Sequence, residues 1–458
     1  MKFLKFWVAL TIGFVNIWSL DSAGAQTLDE ALVKAYRENP RIRAERARLR
    51  ASDEGVSQAL SNWRPVVRVT GTTGLKRSDS TITGPAAKEA EVTEPFTAEL
   101  TITQNLYRGG RTEAEVEEAE YIVRADRARL ALTEQSVLLG AATAYGDVAR
   151  DQAVLELNKS NERVLEKQLE ATEDRFRVGE VTKTEVSQAE SRLSRARADR
   201  IAANGTLIDA RAAYKNVVGD LPDKLQLEKP LTDLPSSLPD AIDRAKSNNF
   251  GVILSRLITK AAESNVRKIN GELLPSLTLN GSAQINEETT TPRSESQVLS
   301  MTAKITVPLY ASGSVRSRIR AAKQIVSQRR DEFNQAVRDA IEDTTEAWQI
   351  LQTGRAQIQA FRSAVKAAEI ALEGVREEVN VGSRNVLDVL DAEQELLDAR
   401  VGVARTMRDE LVATYRLRSA VGELTAVKLG LPVKFYDPGK HHQRARGKWW
   451  GLSADDGR

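Results

Sequence analysis

Two short stretches decide how this chain folds: NVGSRNVLDVLD, Asn380 to Asp391, and its fainter echo RVGEVTKTEVSQ, Arg177 to Gln188. Each follows a very long run without proline, since none occurs between Pro95 and Pro222 or between Pro308 and Pro432. A helix can therefore continue unbroken up to Gly179 or Gly382, where glycine accepts the positive φ that ends it. Thr182 with Glu185 then forms a capping box for a returning helix. Asn385 with Asp388 repeats that arrangement in a shorter-armed form. Both stretches predict the same thing: the tip of a helical hairpin.

Outward from the tips, the rods show a seven-residue period. Val116, Val123, Leu130, Val137 and Ala144 form one column. Ile319, Val326, Phe333, Ala340 and Ala347 form its equivalent, and Leu390, Leu397, Ala404 and Leu411 line a returning helix. Columns of this kind mark the buried seam of coiled-coil packing. A helix over Arg111–Arg177, opened by a capping box at Thr112 and Glu115, would extend about 100 Å at 1.5 Å per residue.

The pattern is written twice. TLDEALVKAYRENP at Thr27 returns as SLPDAIDRAKSNNF at Ser237, a spacing of 210 that pairs Asn39 with Asn249 and Pro65 with Pro275. Beyond a shortened loop the spacing is 203, pairing Gly110 with Gly313, Val178-Gly179 with Val381-Gly382 and Val218-Gly219 with Val421-Gly422. The repeats are expected at 26–220 and 237–431, joined by a proline-rich linker at 221–236 and followed by a basic, aromatic tail at 432–458. Each repeat reads helix, two strands, long helix, turn, helix.

The strands show period two. Leu299, Met301, Ala303, Ile305, Val307 and Leu309 alternate with Ser300, Thr302, Lys304 and Thr306. Phe96, Ala98, Leu100 and Ile102 do the same in the first repeat, with Val67, Val69, Gly71 and Leu277, Leu279, Gly281 as partner strands. About ten residues with one apolar and one polar face suit a membrane barrel strand, or a half-buried soluble sheet. Four strands cannot close a barrel, and an open edge is not tolerated in hydrocarbon. A membrane-embedded sheet would therefore need two, three or four chains, giving eight, twelve or sixteen strands.

Composition narrows the class. Lys and Arg number 66 against 64 Asp and Glu, which is not the lopsided charge of a nucleic-acid binder. The absence of cysteine removes disulfides, thiol chemistry and a lipid-bearing N-terminal cysteine. Residues 1–25 read as a cleaved secretory signal: Lys2 and Lys5, an apolar run from Phe6 to Leu20, then Ala23-Gly24-Ala25. A membrane anchor is the alternative, though the apolar run is short. No nucleophile–base pair, phosphate loop or metal-ligand cluster can be assembled, so neither an enzyme nor a cofactor is expected. His441 and His442, adjacent in the tail, are expected to be solvated. The tail itself suggests a strap along the rod, with a membrane-interface segment as the alternative.

Together, the tandem halves, the junctions LYRGG and LYASG, and the tips FRVGEVTKTEV and VNVGSRNVLDVLDAEQ resemble the TolC family of outer-membrane channels over almost the whole chain, Thr27 to about Leu431. The resemblance implies a mainly α protein with membrane β: a homotrimer with a twelve-stranded barrel in outer-membrane lipid and a helical tunnel through the periplasm. It implies a passive exit duct for type I secretion or multidrug efflux. The partners it implies are a periplasmic adaptor and an inner-membrane transporter of ABC or RND type, with no nucleic acid. Asp388 and Asp391, three apart on one helical face, match constriction-ring aspartates; stacked carboxylate rings would repel anions. Arg384 matches the tip arginine that ties the second coiled coil shut, with Thr184 and Glu185 facing it. Val178, Gly179, Val381 and Gly382 match the turns that meet the adaptor. Two positions depart from the family: Val379 stands where a latching tyrosine is usual, and Glu180 where an apolar residue is common. A periplasmic coiled-coil adaptor or scaffold shares the rods and hairpin tips, and is the alternative.

Overall fold

The computed structural model describes residues 27–79, 91–289 and 291–454. The expected export signal at 1–25 lies outside these residues. Each half opens with a helix pair, α1 (Leu28–Glu38) and α2 (Pro40–Ser61) in the first. Asn39 ends α1 and starts α2: its extended backbone breaks the helix, its side chain accepts the Arg41 N–H, and Pro40 needs no donor partner. Its amide also donates to the Val217 carbonyl at 2.8 Å. The second half repeats the device, with Asn249 donating to the Ala420 carbonyl at 2.9 Å.

The strands follow: β1 (Val66–Thr73), a short ladder of β2 (Lys76–Ser78) with β3 (Glu91–Thr93), and β4 (Phe96–Tyr107). A long helical hairpin, α3 (Arg111–Arg177) and α4 (Lys183–Val218), comes next, and the linker after it leads to α5 (Leu238–Asn248) and α6 (Phe250–Asn270), and on to β5 (Ser276–Glu287) and β6 (Glu295–Thr306). One antiparallel sheet results, in the order β1-β4-β5-β6. Its register places Val69 opposite Leu100, Leu100 opposite Ala283 and Ala283 opposite Leu299. All the alternating apolar residues therefore share one face. The other face carries Glu99, Gln284 and the hydrogen-bonded pair Ser282 and Ser300. Every residue of β6 is exposed, so nothing among the described residues covers either face of that strand. The alternation reached further in sequence than the strand does: β6 stops at Thr306, and Val307 and Leu309 lie beyond it, where Pro308 has no N–H for a ladder.

The rods are α3 (Arg111–Arg177) and α7 (Ser314–Asn380), each of 67 residues, and they return as α4 (Lys183–Val218) and α8 (Val386–Ala420). The column residues Val116 through Ala144 are buried, as are Leu390, Leu397, Ala404 and Leu411. In the α7 column Phe333 is only half-buried, with the Arg256 guanidinium 5.7 Å from its ring centre. Early α3 packs on α2 and α6, and its later part on α4. Equivalent ion pairs staple the two hairpins: Arg197 to Glu166 at 3.2 Å in the first, Arg400 to Glu369 at 2.8 Å in the second.

The start of α3 differs from expectation. Its cap is Gly110 at φ 74°, not Thr112, which is buried one turn further in. Arg108 takes up both members of the expected box, donating to the Thr112 hydroxyl at 3.1 Å and to Glu115 at 2.9 Å. Gly109 must be glycine for a second reason, because a Cβ there would collide with the Gly271 carbonyl.

The histidines also depart from expectation. The tail forms α9 (Pro438–Gly447) against α2, and His441 is buried. Its Nδ1 lies 2.8 Å from Asp53 Oδ2, and His442 Nδ1 lies 3.3 Å from Oδ1, near enough for an ion pair though not aligned for a hydrogen bond. Asp53 is fully buried on α2, and a buried carboxylate needs such partners.

Candidate functional site

Both tips are built the same way. At the end of α3, Gly179 adopts φ 82°, its N–H donates to the Phe176 carbonyl at 2.9 Å, and the Glu180 N–H donates to Arg175 at 2.9 Å. At the end of α7, Gly382 adopts φ 80°, with matching bonds from Gly382 to Val379 at 3.0 Å and from Ser383 to Glu378 at 2.9 Å. These are paired Schellman closures, which satisfy carbonyls that a helix end would leave bare. Thr182 and Glu185 then form a capping box, with the Thr182 N–H 2.7 Å from the Glu185 carboxylate. Asn385 and Asp388 form another, with the Asp388 N–H 3.1 Å from the Asn385 side chain. Val178 and Val381 project from the turns, largely exposed.

The predicted latch residues fall as follows. Thr184 is exposed beside the first tip. Glu185 and Asp388 turn back onto their own helix starts. Arg384 pairs at 2.6 Å with Glu378, within its own hairpin, rather than with Thr184 or Glu185. Glu180 pairs with Arg175 at 3.2 Å. Asp391 is the one that crosses: its carboxylate accepts from Arg192 on α4, joining the second hairpin to the first. No local pattern in the sequence marks Arg192 as Asp391's partner, because 199 residues separate the two.

Apolar contact supports that ion pair. Leu165, Leu193 and Ala196 of the first hairpin pack with Val386 and Leu390 of the second. Val379 packs against this cluster and against a neighbouring one of Ala368, Leu372, Val389 and Leu396. Val379 therefore joins the two clusters through dispersion contacts alone. A groove of about 370 Å³ remains between the hairpins, bordered by Leu165, Arg175, Arg376, Val379 and Leu390. Among the described residues no group of three or more acidic or histidine side chains is placed to hold a metal ion. No described helix is long and apolar enough to cross a membrane.

The family model described as outer membrane efflux protein matches residues 31–220 and again 241–423, once per repeat. The chain belongs to the outer membrane efflux protein family. It is 35% identical over 441 residues to the outer membrane efflux protein BepC of Brucella suis, covering 95% of this chain and 94% of that one. It is 25% identical over 435 residues to the outer membrane protein TolC of Vibrio cholerae, covering 93% and 96%. Its fold matches the solved Campylobacter jejuni CmeC outer membrane channel with TM-score 0.76 at 14% identity, over 98% of this chain and 97% of that one. The family is one of outer-membrane channels serving efflux and secretion systems, not of enzymes.

Proposed function

We propose that three copies of this chain assemble into an exit duct through the outer membrane and periplasm. One observation carries the reading: the four-stranded sheet has edges at β1 and β6 and a continuous exposed apolar face. Edges in lipid must be paired, and β6 of one copy against β1 of the next closes the ring. The apolar face then meets outer-membrane lipid while the Glu99, Gln284 and Ser300 face lines water. In this reading residues 1–25 are a cleaved export signal, the repeats 26–220 and 237–431 build barrel and tunnel, and 221–236 links them.

The tips form the periplasmic gate. Asp391, with Asp388 as the lesser member, forms the constriction, and Arg384, Thr184 and Glu185 shape the turns around it. Val178, Gly179, Val381 and Gly382 present the surface for a periplasmic adaptor, through which an inner-membrane ABC or RND transporter supplies energy. Efflux is the favoured duty, supported by the likeness to BepC. The competing reading is a periplasmic scaffold whose sheet never enters lipid. Cell fractionation followed by native mass spectrometry separates the two. A trimer extracted only with detergent from outer membranes is expected; release of a soluble protein with the periplasm would overturn the channel.

A further inference from the structure

The duct does not use the C-terminal tail, yet the tail is placed with care. It runs alongside α2 towards the sheet: His441 sits against Asp53, and further on the Lys448 carbonyl accepts from Arg64 at 2.9 Å. Arg64 lies just before β1 begins, and the preceding residue, Trp63, is tied to β4 by Gln104, which donates to its carbonyl at 2.8 Å. The Trp449 ring lies under the Arg64 guanidinium, 4.6 Å from it. Beyond this clamp the tail presents large apolar groups outward: Trp450 is 89% exposed and Leu452 is wholly exposed, while Trp63, the residue before Arg64, is 44% exposed. A soluble strap would turn such side chains inward.

We propose that Trp449, Trp450 and Leu452 form a bilayer anchor that enters the periplasm-facing leaflet around the barrel. Three observations favour phospholipid over a protein occupant. The patch lies at the base of β1, continuous in level with the sheet whose apolar face meets lipid. Tryptophan is the side chain suited to that depth, with an apolar body and one N–H for the headgroup zone. The approach is basic on balance: between residues 437 and 448 Lys440, Arg444, Arg446 and Lys448 outnumber Asp437, and Arg64 adds to them, while Arg446 pairs with Glu120 at 3.1 Å and Asp455 and Asp456 follow the anchor in sequence. That charge suits anionic headgroups and repels an equally basic second copy of the same tail. Helix α9 and the buried Asp53–His441 pair then serve to aim the anchor. The chain has no cysteine and so no lipid-bearing one; the tryptophans supply a second hold on the membrane by physical means.

The inference rests on the barrel reading, and its test separates the two. The cysteine-free chain accepts single spin labels at Leu452→Cys, at Leu299→Cys on the apolar sheet face, and at Ser363→Cys on exposed α7 as the aqueous control. Full-length trimers are reconstituted in vesicles of equal phosphatidylcholine and phosphatidylglycerol. Relaxation by oxygen is then compared with relaxation by a water-soluble nickel chelate. The Leu452 label should give an oxygen-to-nickel ratio several-fold above the Ser363 label and close to the Leu299 label. Trp449→Ser with Trp450→Ser should return it to the aqueous value. A Leu452 label matching Ser363 overturns the anchor, as does one shielded from both reagents, which would mark contact with protein. A water-exposed Leu299 label overturns the barrel instead.

Discussion

Asp391 and Arg192 bring together two residues that capping cannot explain. Glu185 and Asp388 are satisfied by their own helix starts, whereas Asp391 reaches across to the other hairpin. The pair is partly exposed, with side-chain exposures of 35% for Arg192 and 65% for Asp391. An exposed pair is worth about 0.2–1 kcal/mol, so three such pairs in the proposed trimer would contribute about 0.6–3 kcal/mol. Arg192→Ser should therefore raise single-channel conductance or open time and, by unmasking Asp391, increase preference for cations. Arg384→Ser should do less, because it breaks a pair inside one turn. Equal effects in planar-bilayer recordings would return the latch to Arg384. The caps were legible in sequence because cap and acid are three residues apart. The Arg192 pair was not, because it depends on how two separate hairpins lie together. The same holds for Asp53 and His441, which are 388 residues apart.

Among the elements, periodicity was the reliable guide. The seven-residue columns predicted the buried seams, and the two-residue alternation predicted a sheet with a single apolar face. Both follow from backbone geometry that repeats whatever the surroundings. Element ends were harder. Thr112 and Glu115 have capping-box spacing, but two positive-φ glycines start the helix sooner and Arg108 claims the carboxylate. Within α3, Glu134 shows how the rod holds the segment after α8: it accepts the Ala426 N–H at 2.7 Å. Burial pushes its carboxyl above the usual glutamate range, outweighing the opposing pull of that N–H and of Arg46. A raised folded value means its contribution is fully present below the unfolded glutamate value and is lost as pH rises through the folded one. Glu134→Gln, which keeps an oxygen acceptor, should raise the melting temperature near pH 7. The gain should shrink as pH falls through the raised folded value and be gone below about 4.3. A gain independent of pH would show that burial of charge is not the cause.

At the scale of the molecule, duplication would let one chain supply a third of a closed wall in the proposed trimer. Four strands and two hairpins are too little for a barrel or a tunnel, and the sheet edges at β1 and β6 are where the proposed assembly would join further copies. Symmetry also explains why the two tips are alike in closure but unlike in charge. The first tip holds Gln188 where the second holds Asp391, so the proposed trimer would place one ring of three carboxylates at that level rather than six. The number of chains was not legible in the sequence, because strand count sets only a multiple of four. The tail was legible only as basic and aromatic, since its direction depends on Asp53 and Arg64, far earlier in the chain.

The gated duct is tested most directly by the reversal potential of purified trimers in a planar bilayer under a potassium chloride gradient. The wild-type channel should be cation-selective, and Asp388→Ala with Asp391→Ala should shift the reversal potential toward zero and relieve block by multivalent cations. A reversal potential unchanged by the double substitution, or the absence of discrete conductance steps, would contradict the account.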